Sequence, residues 1–162
     1  MSISSTRIDE LIAITRHAFG TIPRPVCTKR IARALDDEWL VPEERGNELS
    51  AVDTERNWWD VSDEEILEFS AILPWLSPEG FGFYYPAFLS YTLRHWNETH
   101  DRVHLETFDA IGLQPQALDM LTLEELNAID EILTELTCDP QGADYEWVAT
   151  LTAIEKQIRR KT

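Results

Sequence analysis

Cysteine is scarce in this sequence: Cys27 and Cys138 are the only two in 162 residues, and they form no Cys-x-x-Cys pair. No cysteine and histidine spacing of the zinc-finger kind accompanies them, so neither a disulfide framework nor a structural zinc site holds the chain together, and a reducing cytoplasm is the implied setting. Basic residues are scarce too. Fourteen Lys and Arg stand against thirty Asp and Glu, a net charge of −16, so the positive charge that dominates binding to nucleic acids and anionic membranes is missing. Long apolar runs are absent as well. The most hydrophobic stretches, Ile72 to Leu76 and Phe81 to Leu89, both contain proline and fall far short of the ~20 residues of a membrane span. The first residues lack the apolar segment of a signal peptide. Gly-x-Ser-x-Gly, Walker, Gly-x-Gly-x-x-Gly, His-Glu-x-x-His and EF-hand patterns are all missing, which removes the common hydrolase, nucleotide and calcium signatures. These absences describe a cytoplasmic protein with no nucleic acid, membrane or cofactor as partner.

What is present is helical spacing from end to end, with no convincing period-two alternation. The length suits one domain, residues 1–162, burying about 69% of the area its unfolded chain exposes. Ile8, Leu11, Ile12, Thr15 and Phe19 make one helical face that stops at Gly20. A second helix starts near Thr28 and carries Ile31, Ala34, Leu35 and Trp39 inward before Pro42. Its basic first half, Lys29, Arg30 and Arg33, runs against the helix dipole. From Leu40 to Val61 the periodicity fades, which predicts a long connection anchored by Trp58 and Trp59. Ser62 with Glu65, and Thr122 with Glu125, are capping boxes. The first opens a helix reaching Leu73 and the second an amphipathic helix with Leu126, Ile129, Ile132, Leu133 and Leu136 inward. Ser77-Pro78-Glu79 opens a short helix, since serine caps and proline needs no donor at the first helical position. Pro86 then restarts the chain as a new segment carrying Phe88, Leu89, Thr92, Leu93 and Trp96. Asp101 to Ile111 is a further helix with Val103, Leu105 and Phe108 inward, and a last one runs from Asp144 to Arg160 with Trp147, Leu151, Ile154 and Ile158 inward. The expected architecture is an all-α bundle of six to seven helices.

Several of these segments form a pattern. Ala18-Phe19 with Pro23, Asn57-Trp58-Trp59-Asp60-Val61-Ser62, Leu73-Pro74-Trp75-Leu76-Ser77-Pro78-Glu79-Gly80-Phe81 and Tyr84-Tyr85-Pro86-Ala87-Phe88-Leu89 resemble an uncharacterised family of small bacterial proteins. The likeness spans most of residues 8 to 138 and includes Leu121-Thr122 with Glu124 and Glu125. Gly82-Phe83 departs from the arginine and tyrosine more usual in that family. The resemblance implies a fold and a bacterial source, and no activity.

Charge carries the functional expectation. Residues 36 to 65 hold twelve acids and two arginines, residues 101 to 140 ten acids and Arg102, and residues 1 to 35 six bases and two acids. One reading is a solvated face that keeps the chain soluble. The other is a surface complementary to a basic partner, as in a non-enzymatic immunity or antitoxin protein that neutralises a toxin with a cationic cleft. The candidate contact residues are Asp36, Asp37, Glu38, Glu43 and Glu44, or Asp130, Glu131 and Glu135. Trp58 and Tyr84 are expected at the exposed edge of a largely buried aromatic set. Two other readings stay open: an adaptor without inhibitory action, and a small metal-dependent hydrolase using His95, Glu98, His100, Asp101 and His104, two of whose histidines stand four apart.

Overall fold

Seventeen residues from Pro78 to Arg94 form the central helix of this protein, which we describe from a computed structural model covering residues 3–98, 101–139 and 148–162. Nine α-helices occur among the described residues: α1 (Ser5–Phe19), α2 (Lys29–Glu38), α3 (Glu43–Val52), α4 (Asp63–Glu68), α5 (Pro78–Arg94), α6 (Arg102–Leu113), α7 (Pro115–Met120), α8 (Leu123–Cys138) and α9 (Val148–Lys161). Two 3-10 turns, Trp58–Asp60 and Leu73–Trp75, join them, and no strand occurs among the described residues. The class is all-α, as the spacing predicts, with more helices than the six to seven expected.

The helix starts follow local chemistry. Ser4 Oγ accepts from Arg7 N, Ser77 Oγ from Gly80 N and Asp101 Oδ1 from Val103 N. The capping boxes of Ser62 with Glu65 and Thr122 with Glu125 are both closed. Gly20 ends α1 at φ +50°, a conformation that glycine adopts without strain. Where the outcome departs from the local pattern, packing decides it. The connection expected from Leu40 to Val61 contains a full helix, α3, although none of its residues is buried. The helix opened by Ser62 ends at Glu68 rather than Leu73, yielding to turns ahead of Pro74. Pro86 lies inside α5 and does not restart it. An interior proline costs about 3 kcal/mol, but Phe81, Phe83, Tyr84, Tyr85, Phe88 and Leu89 are all buried along this helix, and each large apolar side chain contributes about 1.5–3 kcal/mol. In α6, Val103, Phe108 and Ile111 face inward while Leu105, off that face, is exposed. The spacing predicts no helix where α7 lies, and residues 140–147, including the expected start of the last helix and Trp147, lie outside the described residues.

α5 packs against α1, α4, α6 and α7, and α8 closes the body against α1 and α9. The buried apolar side chains form one contiguous cluster from Ile8 to Ile154. Polar side chains also tie the elements together: Thr92 Oγ1 donates to Thr107 Oγ1 at 3.2 Å between α5 and α6, and Gln157 Nε2 donates to Asp119 Oδ1 at 2.8 Å between α9 and α7. α2 and α3 form a helical hairpin joined to this body through α2, which packs against the Leu73–Trp75 turn and places Ala32 in the core. No helix among the described residues is long and apolar enough to cross a membrane.

Candidate protein-docking surface

The hairpin of α2 and α3 has a buried base and an exposed tip. At the base, Lys29 is 1% exposed. Its Nζ donates to Glu55 Oε2 at 2.7 Å and lies 2.9 Å from Asp53 Oδ1 and 3.2 Å from Glu65 Oε1. Arg30 Nε adds a contact to Asp53 Oδ1 at 3.0 Å, and the Phe69 ring faces the cations of Lys29, Arg30 and Arg33. The basic start of α2, unfavourable to the helix dipole, is thus neutralised by carboxylates arriving just after α3 and at the start of α4. Tyr84 of α5 donates its hydroxyl to Glu55. Burial alone would lower the Lys29 pKa, but the ion pairs to Glu55 and Asp53 outweigh it and hold the ammonium above its ordinary value. Burial and the Glu55 carboxylate together raise the Tyr84 phenol. The ion pairs therefore favour the charged form of Lys29.

At the tip, α2 ends in a left-handed residue that is not glycine. Trp39 has φ 62°, and its amide donates to Leu35 O at 3.0 Å, closing the last turn. That geometry turns the indole away from the apolar face the spacing assigns to it and leaves Trp39 80% exposed. Among the described residues its ring partner is Trp75, edge to face at 5.5 Å. Leu40 is exposed beside it. On either side of these two apolar groups in the chain come Asp37, Glu38, Glu43 and Glu44, all exposed, with Asp36 half-buried. Only Glu38 among these five carboxylates pairs with a cation among the described residues, meeting Arg45 at 2.5 Å. The first acidic cluster therefore flanks an exposed aromatic in the chain, with Asp37 and Glu38 sharing a shallow pocket with Arg30, Arg33 and Arg45, and the spacing alone puts Trp39 on the buried stripe. The absence of a glycine or asparagine at the end of α2 is the signal that a bulky residue is forced into the left-handed position.

The model of a family described as "Family of unknown function (DUF6714)" matches residues 7–137. The chain belongs to that family. No curated protein and no solved structure matches it. Within this DUF6714 chain, the aromatic motifs form the interior: Phe81, Phe83, Tyr84, Tyr85 and Phe88 are buried on α5.

The remaining candidate residues distribute as follows. Trp58 and Tyr84, expected at an exposed edge, are 3% and 0% exposed. Trp58 Nε1 donates to Gly20 O at 3.0 Å and Tyr84 serves the Lys29 network, so both polar handles are consumed internally and neither presents to a partner. The second acidic cluster on α8 is partly neutralised from within. Arg7 Nε donates to Glu135 at 2.9 Å, and Arg7 Nη2 donates to Glu131 at 3.1 Å, clasping α1 to α8. Asp130 is half-buried, and burial together with Glu155 raises its carboxyl above the usual value. The histidines divide into two separate hydrogen-bonded groups. His95 Nδ1 meets Glu98 at 2.7 Å and its Nε2 meets Asp63 at 2.9 Å. His104 is buried, with Nδ1 3.0 Å from Asp101 Oδ1, and His100 lies outside the described residues. Among the described residues no group of three or more His, Cys, Asp or Glu is arranged to hold a metal ion.

Proposed function

We propose that this chain is a non-enzymatic binding protein that docks the tip of its α2–α3 hairpin onto a basic protein surface, in the manner of an immunity or antitoxin protein covering the cationic cleft of a toxin. The observation that carries this reading is Trp39, exposed and backbone-strained, flanked in the chain by exposed carboxylates of which only Glu38 makes an ion pair among the described residues. Tryptophan is among the residue types enriched at interface hot spots. The surrounding negative potential would steer a basic partner and make its capture salt-dependent. The α8 cluster serves this role less well, since Arg7 already occupies Glu131 and Glu135. A bacterial source and a cytoplasmic setting are part of the same proposal.

The test is capture of partners by the tagged chain at low salt, with an activity assay on what is retained. A basic protein whose toxicity or nuclease activity falls on binding supports the reading. Trp39→Ala should then raise its dissociation rate by one to two orders of magnitude, about 1.4–2.7 kcal/mol. Asp37→Asn with Glu43→Gln and Glu44→Gln should slow association and flatten its salt dependence. A partner whose activity is unchanged would make the chain an adaptor. One that binds these variants as tightly as the unaltered chain would place the interface elsewhere.

A further inference from the structure

A pocket of about 380 Å³ lies between α1 and α5, closed at one end by the Trp58–Asp60 turn and remote in sequence from the hairpin tip. α1 lines it with Asp9, Ile12, Ala13 and Arg16, one face at helical spacing, and α5 with Ala87, Ser90 and Arg94. Three features there are unexplained by packing. Ser90 is 3% exposed, yet its hydroxyl has no hydrogen-bond partner among the described residues. A helical serine ordinarily donates to the carbonyl four residues back. The Arg16 guanidinium sits 3.6 Å from the centre of the Trp59 ring and within 5.8 Å of Trp58, with no carboxylate within 4 Å of it among the described residues. Stacking holds such a guanidinium in place while leaving its in-plane donors available. Arg94 gives one terminal nitrogen to Asp63, and a guanidinium carries five donors. This lining holds two guanidiniums, with Asp9 in the wall, Asp63 paired to Arg94 and Asp60 close enough to Arg16 to feel its charge.

We infer that the pocket binds a small organic monocarboxylate. Its apolar or aromatic body would lie along Ile12, Ala87 and the Trp59 indole, its carboxylate on Arg16 and Arg94, and the Ser90 hydroxyl would donate to one of its oxygens. A single negative charge suits the site better than a phosphate dianion, because Asp9 stands in the lining and the whole molecule repels anions. Size and character match small-molecule sites generally: concave, mostly apolar, with a few convergent polar groups.

The experiment is calorimetric and tryptophan-fluorescence titration of the intact chain in about 20 mM salt with phenylacetate, hexanoate, their neutral amides and inorganic phosphate. One carboxylate should saturate at one per chain with Kd below about 1 mM, and its amide should bind at least about tenfold more weakly. Arg16→Gln should lower affinity about tenfold and Ser90→Ala about threefold. Ser90→Ala should fold normally, since it removes a hydroxyl that has no partner, and thermal unfolding checks this for both variants. The inference is overturned if no carboxylate saturates, if the amide binds equally, if phosphate binds in place of the carboxylates, or if the folded variants keep full affinity.

Discussion

Lys29 illustrates how one residue commits a whole segment. Its ammonium is shut away from water and faces Asp53, Glu55 and Glu65, so replacing it leaves the buried Glu55 carboxylate without a cation, while Asp53 keeps only Arg30. Lys29→Met should destabilise the protein by about 3–5 kcal/mol in urea unfolding. Adding Asp53→Asn and Glu55→Gln should recover much of that, because the cost lies in the uncompensated charge. Trp39 is the opposite case, a residue that the fold tolerates rather than needs. Both Trp39→Ala and Trp39→Gly lose the edge contact with Trp75, but only glycine relaxes the left-handed backbone at φ 62°. The glycine variant should therefore be the more stable of the two by about 1 kcal/mol, read from paired denaturation curves.

At the scale of the element, α5 contains two glycines with opposite meanings. A Cβ at Gly80 would stand 3.0 Å from the carbonyl oxygen of Cys27 and 3.2 Å from Leu76 Cδ2, whereas at Gly82 it would meet nothing within 4 Å. Gly80→Ala should cost about 1–3 kcal/mol by overpacking, and Gly82→Ala should add about 0.5–1 kcal/mol through helix propensity. Thermal unfolding of the two variants separates close approach from mere permissiveness. Between α4 and α5, His95 joins Asp63 to Glu98. Partial burial works to lower its pKa, but the hydrogen bonds to Asp63 and Glu98 outweigh it and raise the value. For Asp63, burial acts upward and the contacts with His95 and Arg94 prevail, lowering it. A histidine raised in the folded state stabilises fully below its unfolded value of about 6.5 and stops doing so as pH climbs through the folded value. Stability measured from pH 5 to 9 should therefore fall by about 0.2–1 kcal/mol across that window, the scale of a surface pair, and His95→Gln should remove the fall.

Over the whole molecule, the legible parts were those set by a few neighbouring residues. The boxes at Ser62 and Thr122, the stop at Gly20 and the inward stripes of α1 and α8 follow from spacing and caps, so the all-α class could be read directly. α3 could not, since no residue of it is buried and an apolar stripe is what periodicity detects. The continuity of α5 through Pro86 depends on partners contributed by α1, α4, α6 and α7. The same limit applies to the candidate sites. The acidic cluster was legible as composition, but the exposure of Trp39, the burial of Trp58 and Tyr84 and the capture of Glu131 and Glu135 by Arg7 are long-range outcomes. The pocket beside Ser90 brings together residues more than seventy positions apart.

The hairpin clamped at its base and bare along α3 has a further consequence for how the molecule opens. Amide hydrogens of α3 should exchange with solvent through local fluctuations, while those of α5, sealed by the aromatic interior, should exchange only when the entire fold is lost. Trypsin under native conditions should accordingly cut first after Arg45, on the exposed face of α3. Mass spectrometry of a brief digest should show that nick while the circular dichroism of the remaining helices persists.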